Sequence, residues 1–300
     1  MARAMNEAKF VDVDGVRTRY FVAGEGAPLV LFHGGNFGSQ NLAESACDWE
    51  LNVQGLSRWY RVFAVDKLGQ GYTDNPKDDD YSMAAVVRHA HGFLAALGLE
   101  NVHVVGHSRG GYLVCRLTLD HPERIRSCVV VDSNTLAPGV PRSEIVLANP
   151  PEPRLSRESQ RWIIERYSFA TGHITESWLD EVCAVAALPK SREALEKMEA
   201  GGLRSSYFMP GLARDKEDTF ARLRDQGTRR PTQVMWGYND PTASLAQGQA
   251  LFDVIASTER RARMVVLNEA GHFSFREQVE AFNHALRGFI DGLGPVGGSY

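Results

Sequence analysis

The sequence has no apolar run near the roughly twenty residues that a helix needs to cross a bilayer. Its opening stretch, MARAMNEAKF, lacks the apolar centre of a secretory signal. A cytoplasmic protein with no membrane partner is therefore expected. Cysteines are few: Cys47, Cys115, Cys128 and Cys183 lie far apart, and none belongs to a CxxC pair. That excludes a disulfide framework and a zinc knuckle and suits reduced thiols. There is no basic excess, because 33 lysines and arginines face 37 acidic residues, for a net charge of -4. No nucleic-acid face is implied. The histidines show no metal-ligand spacing; His89 and His91, two apart on an expected helix, do not share a face. The glycine patterns GEGAP and GQGYTD open no helix after a strand, as a dinucleotide site would. No cofactor and no metal are expected. Internal repeats and low-complexity tracts are also missing.

What is present is alternation. FVDVDGVRTRYFVAG reads as a β-hairpin about Asp14-Gly15. Short apolar runs follow: PLVLFHG, YRVFAVD, NVHVVGHS, RSCVVVDS, TQVMWG and RMVVLNEA. Such runs suit strands buried on both faces of a parallel sheet. Helical patterns over 82–97, 111–119, 243–255 and 277–290 separate them. The expected fold is α/β: a mainly parallel eight-stranded sheet flanked by helices, with a helical cap inserted after strand six. The core spans 9–135 and 229–292, the cap 136–228, and a disordered tail 293–300. The cap is nearly neutral, with 13 basic and 14 acidic residues between Leu136 and Gly227. It carries Trp162, Phe169, Trp178, Tyr207 and Phe208, which either wall an apolar pocket or pack on the sheet.

Gly106-His107-Ser108-Arg109-Gly110 fits G-x-S-x-G between an expected strand and an expected helix. The glycines permit a tight turn, which lifts a serine hydroxyl above the sheet edge at a helix N-terminus. A serine that merely caps the helix is the plainer reading. A hydroxyl nucleophile needs a base, and the base an orienter. Asp240 in WGYNDPT and His272 in NEAGHFSF each follow a strand, in the chain order this elbow requires. Asp132, at the end of VVVDSN, is the rival acid. His107 is read as packing, and His173 and His284 as surface residues. Two backbone N–H groups should form an oxyanion hole: Arg109, acting through its amide rather than its charge, and Gly35, with Asn36 as alternative.

These pieces resemble the α/β-hydrolase fold superfamily. HGGN, DKLGQGYTDNP, GHSRGG, WGYND and GHF occur in order from Phe32 to Phe273, across nearly the whole core. Two groups within it look similar: meta-cleavage-product hydrolases, which cut C–C bonds of vinylogous diketones from aromatic-ring degradation, and small carboxylesterases. The first usually have asparagine and methionine around the nucleophile, where this chain has His107 and Arg109. They usually have tryptophan after the histidine, where this chain has Phe273. They also hold the substrate carboxylate with a cap arginine. Alignment puts Val182 there, with Arg161 or Arg166 as substitutes. Ser108 departs from the aspartate nucleophile of the fold's haloalkane dehalogenases and epoxide hydrolases.

The resemblance implies a serine hydrolase of the Ser108-His272-Asp240 type that works through an acyl-enzyme on a small, mainly apolar carbonyl substrate, an ester or a C–C bond. Asn36, Phe37, Asp48, Trp49, Trp162 and Phe273 are expected substrate contacts, although helix-start and core roles explain Asp48, Trp49 and Phe37 equally well. A non-catalytic or slow small-molecule receptor and a cofactor-free oxygenase are the other classes open to this fold. A homodimer is left open.

Overall fold

The computed structural model describes residue 5 and residues 7–294. From residue 295 on, the expected disordered tail lies outside the described residues. Eight strands form one sheet in the order β1-β2-β4-β3-β5-β6-β7-β8. They are β1 (Lys9–Val13), β2 (Val16–Ala23), β3 (Pro28–Phe32), β4 (Arg61–Val65), β5 (Val102–His107), β6 (Ile125–Val131), β7 (Thr232–Gly237) and β8 (Arg263–Leu267). β2 runs antiparallel to β1 and β4, and every other pairing is parallel. The hairpin turns at Asp14 and Gly15, both at positive φ. β5 and β7 are buried along their whole length, because helices cover both faces of the sheet. The edge strand β8 is mostly part-exposed.

The helices are α1 (Glu50–Leu56), α2 (Met83–Ala96), α3 (Arg109–Asp120), α4 (Ser143–Val146), α5 (Arg157–Tyr167), α6 (Glu176–Ala187), α7 (Pro189–Met198), α8 (Met209–Asp225), α9 (Leu245–Ala256), α10 (Ser274–Glu277) and α11 (Val279–Asp291). Helices α4 to α8 lie between β6 and β7. Polar caps start several of them: Ser156 and Thr175 accept from backbone N–H groups at the heads of α5 and α6. A π-turn over Arg204–Phe208 leads into α8.

Side-chain bonds fasten the inserted helices to the core. Trp178 Nε1 donates to Asp48 Oδ1 at 2.8 Å. The Arg276 guanidinium lies 3.8 Å from the centre of the Trp178 ring. Arg19 reaches Glu181 at 2.7 Å. Of the five cap aromatics named above, Trp178 and Phe208 are buried against the core, while Phe169 and Tyr207 are exposed. Among the described residues, no helix is long and apolar enough to cross a membrane.

Candidate active site

The elbow forms because β5 ends where α3 begins, with one residue between them. Ser108 takes φ 52° and ψ -117°, a left-handed-side conformation that costs an L-residue about 1–3 kcal/mol. The close approach leaves no room for side chains at its flanks. A Cβ on Gly106 would strike the Gly110 carbonyl, and one on Gly110 would strike the carbonyls of Phe32 and His33. Ser108 N donates to Val131 O at 2.8 Å, and Ser133 Oγ donates to Ser108 O at 2.5 Å, so β6 holds the strained turn.

Asp240 and His272 arrive from the ends of β7 and β8. His272 Nδ1 lies 2.9 Å from Asp240 Oδ2. Asp240 Oδ1 accepts from Thr242 N at 2.7 Å, Thr242 Oγ1 at 2.8 Å and Ala243 N at 3.3 Å. The carboxylate is fixed against its own turn with one oxygen left for the imidazole. The rival acid, Asp132, does not meet the imidazole. It accepts from Gly237 N at 2.6 Å and from Ser274 Oγ. Burial, and then the charge of Asp240, hold its carboxyl well above the usual range. It joins the loop of Asp240 to the loop of His272 from behind.

The histidine loop is clamped on several sides. His272 N donates to Tyr167 O at 2.8 Å, which ties it to the end of α5. Glu277 accepts from Gly271 N, Phe169 N and Ala170 N at 2.8–2.9 Å. His107 donates through Nε2 to His272 O at 2.8 Å, so the residue beside Ser108 touches His272. That bond fixes its tautomer, and burial holds its pKa well below the ordinary imidazole value. Among the described residues Ser108 Oγ has no hydrogen-bond partner. Bonds of that kind tighten only when substrate binds.

The loop after β3 faces the elbow. Among the described residues, the amides of Gly35, Asn36 and Arg109 donate to no protein acceptor, as an oxyanion hole requires. Buried partners steady this loop. Lys67 N donates to His33 Nε2 at 3.1 Å, the His33 ring bonds Gly34 O at 2.9 Å, and Lys67 Nζ donates to Gly35 O at 3.0 Å. The Glu44 carboxyl packs over the Gly34-Gly35 backbone, 4.0 Å from His107 Nδ1.

The remaining expected contacts are placed variously. Phe37 is enclosed, with its ring 5.2 Å from Tyr81 and 6.5 Å from Phe208. Phe273 lies against His272, Trp178 and His107. Trp49 is fully buried, 4.1 Å from the Phe275 ring and 6.0 Å from the Phe282 ring, and is part of the core. Asp48 is a buried strut that receives Trp178. Trp162 is half-buried beneath Arg166.

Three expectations change. Neither substitute for the cap arginine enters a site: Arg161 pairs with the exposed Glu176, and Arg166 is exposed. Val182 is buried among apolar side chains. His173, expected at the surface, is 7% exposed and bonded to Ser168 Oγ, because the inserted helices fold it against Trp178. The fold also assembles a group that spacing hid: His91, His121 and Glu123 place ligand atoms within 4.8 Å of one another, and the two imidazoles stack 3.6 Å apart. Thr242, Glu277, Lys67 and Glu44 were missed as well. Thr242 bonds Asp240 two residues away and lies 3.1 Å from His272 Nδ1, while Glu277, Lys67 and Glu44 act on backbone atoms or rings elsewhere in the chain, which nothing local in the sequence signals.

The alpha/beta hydrolase fold family profile matches residues 27–278. The chain belongs to this family. Its curated relatives include the dihydrolipoyllysine-residue acetyltransferase component of the acetoin cleaving system of Cupriavidus necator, 29% identical over 95% of this chain and 69% of that one. The 2-hydroxy-6-oxo-6-(2'-aminophenyl)hexa-2,4-dienoic acid hydrolase of Metapseudomonas resinovorans is 28% identical over 94% and 90%. Among solved structures, a meta-cleavage product hydrolase from Pseudomonas fluorescens superposes with a TM-score of 0.77 at 24% identity, covering 97% of this chain and 99% of the other. By family and by these kin, the chain is a hydrolase of this fold.

Proposed function

We propose that this hydrolase of the alpha/beta fold cleaves the C–C bond beside a carbonyl in meta-cleavage-type diketo acids, with Ser108 as nucleophile, His272 as base and Asp240 as orienter. One observation carries the reading. The imidazole of His272 is held on Asp240 at 2.9 Å, and the backbone carbonyl of the same residue accepts from His107, which adjoins the strained turn that presents Ser108. The hydrolases named above, whose substrates carry a dienoic acid, support the substrate class.

His272 takes the Ser108 proton as Oγ bonds to the carbonyl carbon. The amides of Arg109 and Gly35 receive the oxyanion, with Asn36 next in line. The C–C bond then breaks, its electron pair goes to the leaving carbon, and His272 returns the proton there. The dienol must first be in its keto form, so that the leaving carbanion is stabilised. Water, deprotonated by His272, attacks the acyl-enzyme and a carboxylate product departs. Asn36, Phe37 and Phe273 line the substrate, with Asp48, Trp49 and Trp162 set further out. Ester hydrolysis uses the same groups with oxygen as the leaving atom.

A fluorophosphonate probe and two substrate sets test this. Labelling at Ser108 and rapid bleaching of a yellow dienol diketone, with poor turnover of p-nitrophenyl acetate and butyrate, are the expected results. No labelling of the folded protein refutes the nucleophile. Fast ester turnover with an unchanged dienol makes the protein an esterase.

A further inference from the structure

Most buried cations of this protein have a partner close by. Arg19 is held by Asp66 and Glu181 at 2.5 and 2.7 Å. Arg276 meets Glu50 at 3.0 Å and the Asp48 carbonyl at 2.7 Å. Lys67 donates to Gly35 O at 3.0 Å. Lys190 lies in the field of Asp66 and Asp74, although its Nζ is also buried without a hydrogen-bond partner. Arg109 is the case that adjoins Ser108. Among the described residues no carboxylate comes within ion-pair distance of it, and its Nη1 is buried with no partner.

Its surroundings make this costly. The guanidinium carbon lies 5.1 Å from the centre of the Phe208 ring at the start of the α8 segment. Burial, and then the nearby cation of Arg204, pull its pKa down to about 10, so the group stays charged at neutral pH but is poorly solvated. Buried charges persist where something pairs with them. Glu44 acts on Arg109 at a distance but forms no ion pair with it, and the spot adjoins Ser108. A second group points the same way. The Asn36 amide, on the opposite loop, has both Oδ1 and Nδ2 buried without partners. Phe37, its neighbour in the chain, meets the same Phe208 ring that lies under Arg109. A cation that follows Ser108 in the chain and the amide beside Phe37 are therefore left without partners around the Phe37–Phe208 contact.

We infer that Arg109 is a specificity-determining residue whose side chain binds the carboxylate of the substrate, so that the site selects keto acids over their neutral esters. The guanidinium fork matches a carboxylate in two parallel hydrogen bonds, and the Asn36 amide donates a third. In its catalytic sense the assignment rests on Ser108 being the nucleophile; in its binding sense it does not. Arg109 thereby has two roles, its amide at the oxyanion and its side chain at the far end of the same substrate.

The test separates the two senses. Calorimetry on Ser108→Ala, where turnover plays no part, compares 6-oxo-6-phenylhexanoate with its methyl ester. The acid is expected to bind at least about ten-fold tighter. That preference should vanish in Ser108→Ala with Arg109→Met and survive in part with Arg109→Lys. Arg109→Gln replaces the methionine variant if the latter does not fold. Equal binding of acid and ester, or an acid preference that outlives the loss of the cation, overturns the assignment. If wild-type protein turns over no dienol acid while the acid preference stands, the reaction proposed above fails and the Arg109 assignment holds.

Discussion

The two sides of the site differ in how completely their polar atoms are paired. On the Asp240–His272 side, Asp240 Oδ1 takes three donors and Oδ2 the imidazole. Glu277 and Tyr167 hold the loop. On the Asn36–Arg109 side, the Asn36 amide, His107 Nδ1 and Arg109 Nη1 are buried and unpaired. Glu44 is raised to about 8 by burial first and by Asp48 next, with Lys67 and Arg109 pulling the other way. Native interiors leave few such atoms. The paired side is the preorganised part, whose geometry must exist before substrate arrives. The unpaired side is where, on the assignment proposed above, substrate supplies what the protein omits.

Breaking the paired side should have the largest effects. Ser108→Ala should lower kcat about a million-fold with the fold intact by circular dichroism. Asp240→Asn should lower kcat about ten-thousand-fold by allowing the wrong tautomer. Asp132→Asn should stay within about ten-fold of wild type, because Asp132 bonds Gly237 N and Ser274 rather than the imidazole. Steady-state kinetics on the pair decides which carboxylate is the acid, and the reverse ranking would make it Asp132.

Smaller effects sharpen the unpaired side. The Glu44 carboxyl is neutral below about pH 8 and anionic above it. Its new charge, near His107, Lys67, Asp48 and Arg109, should repel an acid substrate. KM for a keto acid should therefore rise several-fold above pH 8, and stay flat in Glu44→Gln. A rise that persists in Glu44→Gln assigns the effect to another group.

The smallest expected effect lies away from the site. Burial lowers His89 and His103 to about 4 and His173 to about 3. Between those values and the ordinary imidazole value the unfolded chain binds more protons than the folded one, so stability is lost as pH falls from about 6.5 towards 4. The thermal midpoint should drop over that window. His89→Gln, which can still meet Thr18 Oγ1, should flatten the slope.

Much of this was legible in the linear order of residues. The glycines around Ser108, the strand before it and the helix after it share one short segment, and the spacing of an elbow is a local property. Asp240 and His272 could be placed because each follows an apolar run that ends at the same sheet edge. The substrate-facing surroundings were less legible. His173 reads as exposed until α5 and α6 fold over it. Trp49 reads as a pocket wall until α10 and α11 close on it. The Thr242 hydroxyl meets Asp240 and the His272 ring, and Glu277 holds backbone N–H groups, through contacts that no pattern marks.

The sequence by itself determined the alternation of strands and helices, the elbow, and the order of serine, acid and histidine, because strand ends and tight turns are set by neighbours along the chain. Only the tertiary structure showed that Asp240 rather than Asp132 meets the imidazole, since both end strands. It alone showed that Arg109 Nη1 is buried with no hydrogen-bond partner. Pairing depends on what the fold brings within a few ångströms, and residues that are distant in the chain supply or withhold the partner.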